Sequence, residues 1–299
     1  MEIMSNALNE KALLLFNHHT ELDWLFSWML IEPFGSLGYG RALAKKLYKY
    51  VPTVGWAWAL NDFIFLERDW NRDKKVIRQT IRELSSYPYS VWLLLFAEGT
   101  RLTPEKLLLS QKFAKENNLP VLKHHLIPRF KGFSELIRGM DTSKFIHIYD
   151  ATVGLHSSKS GPATISSILM GNQMVVDIFL RRFDRCDIPK TDEGAKYFLM
   201  NRYKEKDDLL DFYKSSNGKT FTSYHVPVNT LPKSLGVLLN TIILNAVICI
   251  PLAYKTCAIL MSGNFAQIST VLVVLAALHL AMKTLIDLTK ISKASNYGN

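Results

Sequence analysis

The sequence predicts an α/β fold, a mostly parallel sheet flanked by helices, followed by a C-terminal two-helix transmembrane hairpin. Two observations carry this expectation. Over residues 1–230, short apolar runs of strand length alternate with longer helical stretches, the rhythm of a sheet covered by helices. Residues 231–299 instead hold two long runs without a charge, a pattern rare in water-soluble domains.

The strands expected are Ala12–Phe16, Phe63–Leu66, Val91–Phe96, Phe145–Tyr149 and Met174–Leu180. Helices between them include Asp23–Leu30, Arg41–Tyr50, Asp73–Leu84 and Pro104–Asn117. The last has Thr103 as N-cap and Pro104 at the first helical position, and stops before Pro120. In the hairpin, Leu235–Tyr254 and Phe265–Met282 are the charge-free runs. At about 1.5 Å per residue they reach roughly 30 Å and 27 Å, close to one bilayer core each. Met261–Asn264 reads as the turn. The other reading is a buried core hairpin, which Asn240, Asn245, Gln267 and His279 favour. Lys233, Lys283, Lys290 and Lys293 flank the pair on the domain side. The positive-inside rule therefore places both ends, and the first domain, in the cytosol. Lys255, near the far end of the first span, can snorkel.

The net charge is +10, of which Lys233–Asn299 carries +4 and the remainder +6. A basic surface suits an anionic membrane, a phosphorylated substrate or nucleic acid. Nucleic acid is disfavoured because the basic residues form no stripe with interleaved aromatics. Three cysteines, Cys186, Cys249 and Cys257, are too few and unpatterned for a disulfide scaffold or zinc ribbon. Trp56 and Trp58 read as core residues, with a membrane interface as their other reading.

The sharpest local feature is Asn17-His18-His19-Thr20-Glu21-Leu22-Asp23-Trp24. On one continuous helix His18 and Asp23 would lie about 140° apart. If the helix begins between them, with Thr20 as N-cap, Asp23 falls at the third helical position. Its carboxylate then tilts back toward the imidazole. A carboxylate on one ring nitrogen fixes the tautomer and leaves the other nitrogen basic. Spacing alone does not separate this from a capping box beside a loop histidine.

Three further stretches add basic groups to strand ends. Phe63–Leu66 runs into Glu67-Arg68, and Val91–Phe96 into Ala97-Glu98-Gly99-Thr100-Arg101. Here Gly99 permits close backbone approach, Glu98 can hold hydroxyls and Arg101 is a forked anion binder. Lys123–Phe133 places Pro128, Arg129 and Lys131 in a tight turn. Ligands of open α/β sheets bind outside the carboxyl ends of the strands, where these groups would gather.

In this order, NHHTELD (Asn17–Asp23), FIFLER (Phe63–Arg68), EGTR (Glu98–Arg101) and HLIPRFKGF (His125–Phe133) resemble the glycerolipid acyltransferase family, specifically its lysophosphatidic acid acyltransferases. The resemblance continues through Asp69–Lys74 and Leu84–Trp92 and covers about residues 10 to 190. The two C-terminal apolar segments look like those of the gamma and delta branch.

The resemblance implies an enzyme of phospholipid synthesis in the endoplasmic reticulum membrane that acylates a lysophospholipid from acyl coenzyme A, most simply lysophosphatidic acid at its sn-2 hydroxyl. His18 would be the general base and Asp23 its orienting carboxylate. Arg68, Glu98, Gly99, Thr100, Arg101, Pro128, Arg129 and Lys131 would bind phosphate and glycerol. A thioester is already activated, so no metal or other cofactor is implied beyond the co-substrate. Alternatives are another lysophospholipid, such as lysophosphatidylinositol or lysocardiolipin, or a non-catalytic lipid-binding relative, against which the intact His18 and Asp23 argue. A metal site from His18, His19, His124, His125 and Asp23 is disfavoured because adjacent histidines point apart. Members of the family commonly carry an N-terminal helical membrane element, whereas sixteen residues precede Asn17 here. A form with such an element is expected to dock its active site better.

Overall fold

A computed structural model describes residues 10–51, 54–156, 163–216, 221, 230 and 235–289. It divides into two compact units at Asn229/Thr230.

The first unit is built on a six-stranded sheet in the order β3-β2-β4-β1-β5-β6. The strands are β1 (Lys11–Phe16), β2 (Gly40–Lys45), β3 (Ile64–Leu66), β4 (Val91–Leu95), β5 (Phe145–His156) and β6 (Val175–Asp184). All pairings are parallel except β5 with β6. β1 is central and buried on both faces, which is why it reads as an unbroken apolar run. Its alternate residues feed two cores. Leu13 and Leu15 pack with the buried faces of α3 (Trp70–Ser86), α5 (Phe130–Gly139) and α7 (Asp192–Ser215). Ala12, Leu14 and Phe16 pack with Phe26, Leu30 and Ile31 of α1 (Asp23–Ile31).

The expected helix Arg41–Tyr50 is instead β2 followed by a 3-10 turn, Lys46–Tyr50. Arg41-Ala42-Leu43-Ala44-Lys45 consists of good helix formers, but pairing decides: Arg41 and Ala42 are in register with Leu93 and Leu94 of β4. Leu43, Ala44 and Lys45 are in register with Ile64, Phe65 and Leu66 of β3. Tertiary context overrides propensity here. α3 starts three residues before the expected Asp73, because Asp69 caps it by accepting the Asn71 N–H at 3.0 Å. α4 (Pro104–Glu116) matches its expected start, with the Thr103 hydroxyl accepting the Lys106 N–H at 3.3 Å. β5 outruns its expected end at Tyr149, since antiparallel pairing with β6 continues to His156.

α2 (Val54–Leu60) separates the fates of two tryptophans. Trp58 stacks on Phe63, centroids 5.0 Å apart, as a core residue should. Trp56 does not pack inward; it is 58% exposed.

The second unit holds α8 (Leu235–Met261) and α9 (Phe265–Thr289), two helices in contact across a short turn in which Gly263 has φ 68°. α8 runs past the expected end at Tyr254 and takes Lys255 into the helix. Ile242–Met261 is long and apolar enough to cross a membrane, and none of it is buried; Phe265–Ala281 is a shorter apolar stretch. Exposed side chains such as Ile243, Val247 and Ile250 replace the alternative of a buried core hairpin.

Candidate active site

The parallel strands deliver their carboxyl ends to one edge of the sheet. The loop after β1 leads to α1 on one face, and the chain after β4 reaches α5 on the other. A crevice opens at such a divergence.

Asn17 ends β1 by clamping β5: its side chain accepts the Val153 N–H at 2.8 Å and donates to the Val153 carbonyl at 3.2 Å. The next residue is thereby fixed. His18 donates its backbone N–H to Glu98 Oε1 at 2.8 Å, and its carbonyl accepts the Leu102 N–H at 2.9 Å. Its ring lies on Phe96, centroids 4.3 Å apart and planes 26° from parallel. Nδ1 is 2.9 Å from Asp23 Oδ2. The His18 side chain keeps 21% of its surface, whereas Asp23 keeps 2%.

Asp23 also accepts the Thr20 N–H at 2.9 Å and the Thr20 hydroxyl at 2.7 Å. The Thr20 Oγ1 in turn accepts the Leu22 N–H at 3.1 Å and not the Asp23 N–H, so Asp23 makes only the returning half of a capping box. The regular helix nevertheless starts at Asp23, with Leu22 and not Thr20 as N-cap. Asp23 thus holds the first helical position, not the third, and still reaches back to His18. With Asp23 accepting from Nδ1–H, Nε2 is the nitrogen able to take a proton.

The other histidines of the motifs are committed elsewhere. Burial pushes His19 well below the ordinary imidazole range. Burial likewise pushes His125 down to about 4, although its Nδ1 sits 3.1 Å from Asp207. His124 Nε2 is 3.0 Å from Asp211. Asp207, on α7, further accepts the backbone N–H groups of Lys123 and His124, each at 2.7 Å. α7 therefore shapes the loop that leads to Pro128 and Arg129.

Of the residues expected to meet substrate, Glu98 is placed differently from a hydroxyl holder. It is 1% exposed, and its second oxygen accepts the Leu126 N–H at 3.2 Å. Burial pushes its carboxyl up to about 8, against the two backbone N–H bonds that favour the anion. Its hydrogen bonds tie the histidine loop to the loop before α5. Gly99, at φ 70°, lies under the Arg129 side chain; a Cβ there would meet Arg129 Cδ at 3.1 Å. Arg129 itself donates its N–H to the Ala97 carbonyl at 2.7 Å. Pro128 is buried. Lys131 lies in the first turn of α5 and not in a tight turn, because the helix starts at Phe130.

The remaining cations form one electrostatic cluster. Arg68 takes a left-handed conformation, φ 68°, costly for a side-chain-bearing residue. Asp73 secures it by accepting the Glu67 and Arg68 N–H groups at 2.8 and 2.9 Å. Burial lowers the Arg68 guanidinium from its usual range. Lys45, level with Leu66 at the end of β2, is pushed down to about 8 by burial and then by repulsion from Arg68, Lys106 and Arg101. Lys106 is lowered by burial and by Arg101 and Arg68; its Nζ donates to the Thr100 hydroxyl at 2.8 Å. Arg101 Nη1 lies 3.3 Å from Glu21 Oε2, and Glu21 Oε1 accepts the Ile165 N–H at 2.8 Å. Sequence reasoning missed Lys45, Lys106 and Glu21.

Chemically, this edge offers an oriented imidazole beside concentrated positive charge. Cys186, Cys249 and Cys257 lie on a 3-10 turn after β6 and on α8, and are unpaired by disulfides. Among the described residues, no three His, Cys, Asp or Glu side chains converge as metal ligands would.

A family model described as Acyltransferase matches residues 2–146, and one described as Acyltransferase C-terminus matches 167–244. The chain is 34% identical to 1-acyl-sn-glycerol-3-phosphate acyltransferase gamma of Homo sapiens over 293 residues, 97% of this chain and 75% of the relative. It is 31% identical to the delta enzyme of Homo sapiens over 290 residues, with the same coverage of 97% and 75%. The gamma enzyme of Mus musculus matches at 33% over 293 residues, again 97% and 75%. The chain thus belongs to the 1-acyl-sn-glycerol-3-phosphate acyltransferase family and is an acyltransferase of lipid metabolism.

Proposed function

We propose that this enzyme transfers a fatty acyl group from acyl coenzyme A to the sn-2 hydroxyl of lysophosphatidic acid, giving phosphatidic acid. His18 Nε2 takes the hydroxyl proton as the oxygen attacks the thioester carbonyl. The new C–O bond forms, the C–S bond breaks, and the proton passes to the departing coenzyme A thiolate. Asp23 holds the imidazole and balances the imidazolium. Arg68, Arg101 and Lys45 receive the phosphate, with Lys106 supporting the cluster through Thr100. Arg129 and Lys131 extend the positive charge toward the glycerol side, and Gly99 lets the chain approach closely. The observation that carries this reading is the His18–Asp23 contact of 2.9 Å at the sheet edge shared with four mutually repelling cations. A phosphomonoester, with a charge of about −1.5 to −2, answers that cluster better than a singly charged diester.

The exposed apolar hairpin, with lysines at its outer ends, supports anchoring in a membrane by two spans. Both ends and the catalytic unit then face the cytosol, as suits an enzyme of the endoplasmic reticulum drawing on cytosolic acyl coenzyme A.

Purified full-length protein in phospholipid vesicles should be offered lysophosphatidic acid, lysophosphatidylcholine or lysophosphatidylinositol with acyl coenzyme A. Lysophosphatidic acid is expected to give the highest kcat/KM. A preference for a diester head group would reject the proposed acceptor.

A further inference from the structure

The proposed chemistry leaves the segment between β2 and β3 unused. Over residues 46–63 the sequence carries two lysines, Lys46 and Lys49, and one acid, Asp62, which accepts the Tyr87 hydroxyl at 3.0 Å. The 3-10 turn Lys46–Tyr50 and α2 lie in this stretch, directly after the cluster residue Lys45. Their outer side chains are large and apolar: Tyr50 is 67% exposed, Leu60 86%, and Leu47, Val54 and Trp56 are exposed as well. Lys46 and Lys49 stand exposed among them, Lys46 paired with Glu67.

The inner side of the same segment is firmly packed. Trp58 stacks on Phe63 and meets Trp24 and Tyr48 edge-on at 6.2 and 6.1 Å. Gly55 admits no side chain, since a Cβ would fall 1.9 Å from the Tyr48 carbonyl oxygen. The segment is therefore bolted to α1, whose first residue is Asp23, while its outer residues bury nothing. Singly exposed apolar side chains are ordinary, but Trp56 and Leu60 are four apart on one face of α2, and the 3-10 turn that packs against α2 adds Leu47 and Tyr50, a group that marks an interaction surface. Trp and Tyr favour the membrane–water boundary and lysines favour anionic head groups, and Lys49 stands exposed beside Tyr50 with no acid paired to it among the described residues. That combination fits lipid better than a protein partner.

We propose that Leu47, Tyr50, Trp56 and Leu60, with Lys46 and Lys49, form a docking surface that seats the catalytic unit on an anionic phospholipid bilayer. A lysophospholipid can then slide from the bilayer toward Lys45 and His18 without entering water. This contact is additional to any anchoring by the hairpin.

The test uses full-length protein in phosphatidylcholine vesicles, with and without phosphatidylserine, carrying bromine on the lipid acyl chains. Bromine quenches tryptophan fluorescence on contact. Trp56→Phe should remove a large part of the quenched signal in the anionic vesicles. Lys49→Ala should lower the ratio of docked to undocked protein about fivefold, the effect of one lysine near an anionic surface. Trp56→Asp with Leu60→Asp should slow acylation of bilayer-held lysophospholipid at least about tenfold, given two large side chains kept from apolar contact. The same variant should acylate a dissolved short-chain lysophospholipid at the wild-type rate. Failure of the wild type on every lysophospholipid would reject the proposed reaction, while the quenching still reports docking. The docking proposal is overturned if Trp56 contributes no quenched signal in either vesicle. It is equally overturned if the double variant slows both substrates alike, or if Trp56 is shielded only as protein concentration rises, which would assign the face to a second copy.

Discussion

The loop after β1 and the cations after β2, β3 and β4 share one sheet edge and are built in opposite ways. In the loop, attractive contacts hold the histidine on every side: Glu98 and Leu102 on its backbone, Phe96 on its ring, Asp23 on Nδ1. In the cluster, Lys45, Arg68, Arg101 and Lys106 are gathered so that they repel one another, and Arg68 is held in a strained backbone conformation. The first arrangement is complete before substrate arrives, as a general base requires. The second is relieved by an anion, so its repulsion becomes binding energy once a phosphate enters. One region should govern turnover and the other affinity.

The comparison breaks most sharply at His18. His18→Ala should lower kcat roughly 10²- to 10⁴-fold, the usual contribution of a general base, in a steady-state assay with lysophosphatidic acid. Asp23→Asn should also cut kcat severely, since it disturbs the tautomer. Next comes the clamp. Arg68→Lys or Arg101→Lys keeps the charge and loses the fork, and should raise KM for lysophosphatidic acid about tenfold or more. KM for acyl coenzyme A should hardly move; equal changes in both would mean misfolding or a coenzyme A role.

Glu98 belongs to the scaffold of the first region. Glu98→Gln turns an amide NH₂ toward one of two backbone N–H groups, and denaturant unfolding should show a loss of about 1–3 kcal/mol. The sign with pH follows from its raised pKa. The folded protein keeps a proton that the unfolded chain releases above its ordinary value of 4.5, so this group's stability is lost as pH rises toward about 8. The gap between wild type and Glu98→Gln should therefore narrow over that window.

Lys45 gives a pH effect on affinity. Held down to about 8, it loses its charge above that pH in the free enzyme, so KM for lysophosphatidic acid should rise with pH there. Lys45→Arg should flatten the rise. The smallest effect is expected at Glu21, whose carboxylate competes with phosphate for Arg101. Glu21→Gln should lower KM only a few-fold, the scale of a partly exposed ion pair.

What could be read from the sequence follows the same division. β1, β4 and the Thr103–Pro104 helix start are local patterns, as is the helix-bounded Asp23, and the structure has them within a residue or two. β2 was not legible, because Ala42, Leu43 and Ala44 favour a helix and only their partners in β3 and β4 make a strand. Lys45 was lost with it. Glu98 stood in a motif beside basic residues, yet its burial under the histidine loop depends on Leu126, distant in sequence. The anchoring of the 123–125 loop by Asp207 is likewise a long-range contact without a sequence pattern.

The division of labour is tested most directly by lysophosphatidic acid binding to the inactive protein. Titration calorimetry on full-length His18→Ala and Arg101→Ala, in the same detergent or vesicles as wild type, separates the two regions. The account predicts a Kd for His18→Ala within about twofold of wild type, below the 1.4 kcal/mol that marks a tenfold change, despite its lost turnover. It predicts a Kd for Arg101→Ala weakened about tenfold or more, the loss of a charge-assisted hydrogen bond. Binding lost in His18→Ala in proportion to its activity, or kept in Arg101→Ala, would contradict it.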